Sequence, residues 1–196
     1  FLVKKLLLVF FITFSFQPLI KADNIGDFEI EGMYVGDTLL NHYNEEEIKS
    51  FYQNSSYYRD KAFAVIFVDK NSNMYDRIQV TLKPGDNEHK IFSLEGIIDF
   101  DKEIDKCKKK RKQIITDIEN MFSDYERLDD DGYYEPDKSK NSSSNTTWLF
   151  LKSGGFISVE CTEMGNEVRK EKGWTDQLSI AITSEKLESF LRGNPY

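Results

Sequence analysis

Two cysteines, two histidines and one dense acidic run are the residues of this chain whose chemistry is specific enough to test. Cys107 falls in the series Ile104, Cys107, Arg111, Ile114, Ile118, Met121, Tyr125, whose alternating steps of three and four trace one face of a helix. Cys161 falls in the series Ile157, Val159, Cys161, spaced by two, which is one face of a strand. Both thiols therefore point to apolar faces. The expectation is that these faces meet and that Cys107 pairs with Cys161 in a disulfide, as an oxidising compartment allows. The alternative is two separate buried thiols acting as small hydrophobes.

The run Asp129-Asp130-Asp131-Gly132 is the nearest approach to a metal loop. An EF-hand needs an acidic or amide ligand five residues before its glycine, and Arg127 stands there instead. Asp129, Asp131 and Asp137 remain as weak oxygen ligands for Ca²⁺, against the simpler reading of a solvated acidic loop. His42 and His89 lack metal-ligand spacing to each other or to the cysteines. No bound metal and no cofactor are expected. No G-x-S-x-G, P-loop or H-E-x-x-H occurs, so no catalytic residue is assigned. A carboxylate on a sheet face, Glu95 or Asp99 with Tyr75, is the enzymatic alternative, because partners distant in sequence leave no local motif. Tyr57, Tyr58, Tyr133, Tyr134 and Trp174 are candidates for a binding surface; edge and core packing is the plainer account of them. Trp148, on a strand beside Phe150, reads as core.

The elements that must position these residues begin after residue 22. Lys4 and Lys5 precede an apolar run from Leu6 to Phe16, Pro18 interrupts it, and Ala22 stands before Asp23. That order is the layout of a secretory signal peptide over residues 1–22. The run is short of the roughly 20 residues a helix needs to cross a bilayer, although an uncleaved membrane anchor and a buried N-terminal element are alternatives. The remaining 174 residues suffice for one domain, 23–196. The whole chain carries a net charge of -8, and removing Lys4, Lys5 and Lys21 leaves 23 basic against 34 acidic residues. Nucleic-acid binding is excluded on that balance, since phosphate recognition needs a basic footprint. Contact with a membrane is expected only if the N-terminal segment stays attached. An envelope protein or a small ligand is the expected partner.

Along that domain, 27–35 reads as a short strand ending in a turn, followed by a helical piece with Asp37 as N-cap. Asn44 and Glu47 resemble a capping box that opens a short helix through Tyr52. Residues 62–68 read as a central strand, apolar on both faces. Residues 74–82 alternate, with Met74, Ile78, Val80 and Leu82 on one face and Tyr75, Arg77, Gln79 and Thr81 on the other. A third strand covers 89–98, completing a meander. A long helix spans 101–125, its lysines and Arg111 facing outward as a solvated charge run. Residues 129–146 read as a polar, mobile loop. Strands 147–153 and 156–161 flank Gly154-Gly155. A last strand holds Leu178, Ile180 and Ile182, and Ser184 caps a short helix that stops at Gly193. The predicted fold is α+β, an antiparallel sheet packed against one long helix with short N- and C-terminal helices.

Four phrases resemble small exported proteins of unknown function from marine alphaproteobacteria. They are the opening DFEIEGMYVGDTLLNHYNEEEIKSFY, the helix CKKKRKQIITDIENMF, the strand ending Val159-Glu160-Cys161, and GWTDQLSIAI. The resemblance covers nearly all of 23–196 and implies the same boundaries and the same cysteine pair, without implying a catalytic residue. The expectation is an exported, periplasmic or secreted bacterial protein serving as a non-enzymatic binding or accessory module of the cell envelope. A periplasmic enzyme using carboxylates on the sheet face is the alternative.

Overall fold

A computed structural model describes residues 24–69, 72 and 74–193. The predicted signal peptide, 1–22, lies outside the described residues. Those described form an α+β fold with one large antiparallel sheet, a small hairpin and four α-helices.

The chain enters through β1 (Glu29–Ile30) and β2 (Met33–Tyr34), paired antiparallel. Their two-residue turn places both Glu31 (φ 52°) and Gly32 (φ 78°) at positive φ, the turn whose twist matches a hairpin. Residues 27–35 are thus a hairpin and not a single strand. Thr38, not Asp37, caps the helical turn that follows: its Oγ1 accepts from Leu40 N at 3.3 Å. An isolated β-bridge to Lys90 holds Thr38 extended, so the boundary falls one residue later than expected. Helix α1 (Glu45–Phe51) starts at the expected capping box, with Asn44 Oδ1 accepting from Glu46 N and Glu47 N and Glu47 Oε2 accepting from Asn44 N.

Eight strands make the main sheet: β3 (Ser56–Tyr57), β4 (Ala64–Val68), β5 (Arg77–Leu82), β6 (Ile91–Asp101), β7 (Tyr125–Tyr133), β8 (Ser143–Leu151), β9 (Phe156–Glu163) and β10 (Asp176–Thr183). Their order is β3-β4-β5-β6-β10-β9-β8-β7, and every neighbouring pair is antiparallel. The last strand therefore inserts between β6 and β9 and joins two meanders into one sheet.

One face carries the main core. Ile66, Val80, Leu94, Ile180, Val159 and Leu149 project from successive strands and are buried. Helix α2 (Ile104–Met121) lies against β6, β9 and β10 on this face. It buries Cys107, Ile115 and Ile118, the two isoleucines contributing about 1.5–3 kcal/mol each. Cys107 and Cys161 form a disulfide between α2 and β9, with Cα atoms 6.0 Å apart. Arg111 turns inward from the same helix: its Nε donates to Val159 O at 3.1 Å and its Nη2 to Thr147 Oγ1. The expected outward position of Arg111 is corrected, because it sits one turn after Cys107 and over the middle of β9 and β8, where Val159 O and Thr147 Oγ1 accept from it.

Other expectations are corrected too. Strand β4 is second from the sheet edge; it is apolar on both faces because Val65 and Phe67 line a groove on the far side. Residues 74–76 precede β5, so the alternation does not reach them. Met74 is 64% exposed, and Tyr75 packs against the core cluster over Gly96. The long helix ends at Met121, since Tyr125 already begins β7. Within the supposed loop 129–146, residues up to Tyr133 belong to β7 and residues from Ser143 to β8, leaving 134–142 as the connection. Strand β7 was hidden because it is an edge strand, exposed at nearly every position, and so has no apolar alternation. Helix α3 (Asn166–Lys172) went unforeseen, whereas α4 (Glu185–Arg192) begins at Ser184, whose Oγ accepts from Leu187 N.

Candidate functional site

The side chains that alternate with the core face turn to the other side of the sheet, and there they are mostly polar. Strand β6 presents Ser93 and Glu95, β10 presents Gln177 and Ser179, and β9 presents Ser158 and Glu160. Period-two geometry makes this unavoidable: once Leu94, Ile180 and Val159 point to α2, their neighbours point away. Helix α4 covers one end through a second small core of Phe63, Phe92 and Leu187. The connection 134–142 and Trp174 cover the other end.

Between them lies a groove. Its larger part, about 560 Å³, is lined by Tyr57, Tyr58, Arg77, Glu95, Tyr134, Glu160, Trp174 and Gln177, among others. A second part of about 260 Å³ continues towards α4 and shares Tyr58, Val65, Gln79, Glu95 and Glu160 with the first. Four of the five aromatic candidates, Tyr57, Tyr58, Tyr134 and Trp174, thus converge on one cavity. Tyr133 does not: it is 67% exposed at the end of β7, beneath the Lys140 ammonium. Trp148 lines the inner part of the groove and contacts Phe156, so its expected place in the core is corrected.

The two carboxylates have different surroundings. Glu160 is held by two hydroxyls, Thr146 Oγ1 donating at 2.7 Å and Thr162 Oγ1 at 2.9 Å, one to each oxygen. Glu95 accepts a hydrogen bond from Ser179 Oγ. Burial pushes the Glu95 carboxyl above its ordinary range; the Ser179 bond opposes this, Glu160 reinforces it, and Arg77 draws it back. The Tyr134 phenol is pushed up to about 12 by burial, with the charges of Glu160 and Glu95 adding to the effect, so it stays a hydrogen-bond donor.

Arg77 donates from Nη2 to Asp99 Oδ1 and to Gln177 Oε1, the latter at 3.1 Å. This pairing corrects the enzymatic candidates read from sequence. Asp99 is tied to Arg77, and Tyr75 lies on the opposite face of the sheet from Glu95, against Gly96. Glu95 alone of that trio belongs to the groove; Glu160 and Gln177 were not singled out. The alternation Ser158, Glu160, Thr162 against Ile157, Val159, Cys161 was visible, but nothing local said which distant strand it would face.

The connection 134–142 owes its shape to Asp137. Its carboxylate accepts from Ser139 N and Oγ, Asn141 N, and Ser142 N and Oγ, at 2.7 to 3.1 Å. These bonds hold the Asp137 carboxyl down at about 2, the Ser139 side chain contributing most. Asp137 is thus filled by its own loop, which carries Tyr134 and Pro136 to the groove. Asp129 is engaged by Arg127 and Thr147, and Asp131 by Asn145. The three candidate Ca²⁺ ligands are spent separately, and among the described residues no group of three or more His, Cys, Asp or Glu is arranged to hold a metal ion. His42 Nε2 lies 2.9 Å from buried Asp37, away from the groove.

No protein-family model, curated protein or solved structure matches this chain.

Proposed function

We propose that this chain is an exported binding module of the bacterial cell envelope, and that the groove on the polar face of its sheet takes a small polar organic molecule. The observation that carries this reading is the convergence of Tyr57, Tyr58, Tyr134 and Trp174 with Glu95 and Glu160 on one cavity. Its size suits a small ligand, and its mixture of aromatic walls with a few polar groups is the usual composition of such a site. Export is supported by the N-terminal residue pattern and by the buried Cys107–Cys161 disulfide, which an oxidising compartment maintains. Among the described residues no helix is long and apolar enough to cross a membrane.

Trp174 and Trp148 sit in the two parts of the groove, so intrinsic fluorescence reports its occupancy. A panel of cationic, neutral and anionic metabolites should contain probes that shift this emission, with the response lost in Trp174→Ala and weakened in Tyr134→Ala. A panel in which no compound changes the emission of the folded protein would overturn the reading.

One observation favours a second reading, a carboxylate enzyme. Burial raises Glu95, and a second carboxylate, Glu160, shares its cavity, the pair of groups that general acid–base catalysis uses. In that case some bound probes would be converted, and Glu95→Gln would abolish turnover of the probes it still binds.

A further inference from the structure

We infer that the ligand of this groove is an organic ammonium ion, an inference that rests on the groove being the binding site. Glu95 and Glu160 bring two carboxylates to one cavity, and among the described residues neither forms a salt bridge with a lysine or arginine. Arg77 is the single cation among the residues lining the larger part, and it is committed to Asp99 and Gln177. A half-enclosed carboxylate without a cation in direct contact is costly, because the hydroxyls of Thr146, Thr162 and Ser179 replace part of its solvation but supply no counter-charge. A ligand cation would supply the missing charge. An anionic ligand would meet like charge from two strands.

The walls favour the same chemistry. Aromatic faces attract ammonium groups through the ring quadrupole. The rim already does so with the chain's own cations: Lys172 Nζ stands 4.4 Å from the centre of the Trp174 ring, and Lys61 Nζ stands 5.6 Å from that of Tyr57. An organic cation is preferred over a metal ion because hydroxyls already occupy both Glu160 oxygens and no third acidic ligand is in place. Gln177 adds a direction. It is 9% exposed, its Oε1 is filled by Arg77, and its Nε2 has no acceptor among the described residues. A ligand carrying an oxygen acceptor beside its cationic end satisfies both features. The chain's net charge of -8 further concentrates cations at its surface.

Choline and its uncharged isostere 3,3-dimethylbutan-1-ol separate charge from shape, and glucose serves as a neutral polar probe. Titration calorimetry of the purified protein in phosphate buffer should show choline binding at least tenfold tighter than the isostere. Glu160→Gln should weaken choline at least tenfold and leave the isostere unchanged, and Glu95→Gln should act in the same direction. Circular dichroism of each variant establishes that it is folded. Equal binding of choline and the isostere would overturn the inference. Binding of glucose with loss in Trp174→Ala, but no binding of choline, would overturn it while leaving the groove as the site. Failure of every probe to perturb Trp174 would remove both readings.

Discussion

Reduction of the Cys107–Cys161 disulfide should destabilise the protein by about 4 kcal/mol. The bond closes a loop of 54 residues that contains most of α2 and all of β7 and β8. For a loop of that length the chain-entropy relation gives about 14 cal/mol/K of denatured-state entropy removed, or about 4 kcal/mol at room temperature. The native contacts survive reduction, because both sulfurs are fully buried and behave as small hydrophobes once reduced. The loss therefore lies in the unfolded chain. Against a typical total of roughly 5–15 kcal/mol this is a large fraction. Guanidinium unfolding of the wild type, followed by circular dichroism with and without a phosphine reductant, measures it directly. The midpoint should fall, and the slope should rise because the unlinked chain exposes more surface. Cys107→Ala/Cys161→Ala should lose slightly more, from the two missing sulfur atoms. A shift below about 1 kcal/mol would refute the loop argument. So would two titratable thiols in the unfolded, unreduced protein.

Two further perturbations test the sheet and the groove. Gly96→Ala should destabilise by about 1–3 kcal/mol in a thermal melt, since its Cβ would clash with Cδ1 and Cε1 of the Tyr75 ring; a melt unchanged from the wild type would show that the ring moves aside freely. For Glu95, the raised folded-state carboxyl binds its proton more tightly than the unfolded one. Its stabilising effect is present below the unfolded value of about 4.5 and is lost as pH rises through the folded value. Glu95→Gln keeps the acceptor for Ser179 and removes that loss, so its melting advantage over the wild type should grow from pH 4 to pH 8 in an amine-free buffer. A constant difference would count against it.

Much of the local architecture was legible because its causes are local. The Asn44–Glu47 capping box, the Ser184 cap and the alternation of Leu178, Ile180 and Ile182 each need only a few neighbouring residues. The cysteine pair was legible for a related reason: helical and strand periodicity placed both sulfurs on apolar faces, and only one partner existed for each. Legibility failed where burial was the missing signal. Strand β7 shows almost no buried position, and the turn at 74–76 carries Tyr75 to a face that its sequence parity did not foretell. The groove was the least legible part. Its carboxylates stand on β6 and β9, and they share a cavity only because β10, from the end of the chain, inserts between those strands. Ladder hydrogen bonds use backbone groups common to every residue, so a strand's sequence states which side faces the core but not which strand lies beside it. The sequence by itself thus determined the elements that carry caps or apolar periodicity, and the disulfide between two of them. Only tertiary pairing decided that Glu95, Glu160, Gln177, Tyr134 and Trp174 would meet.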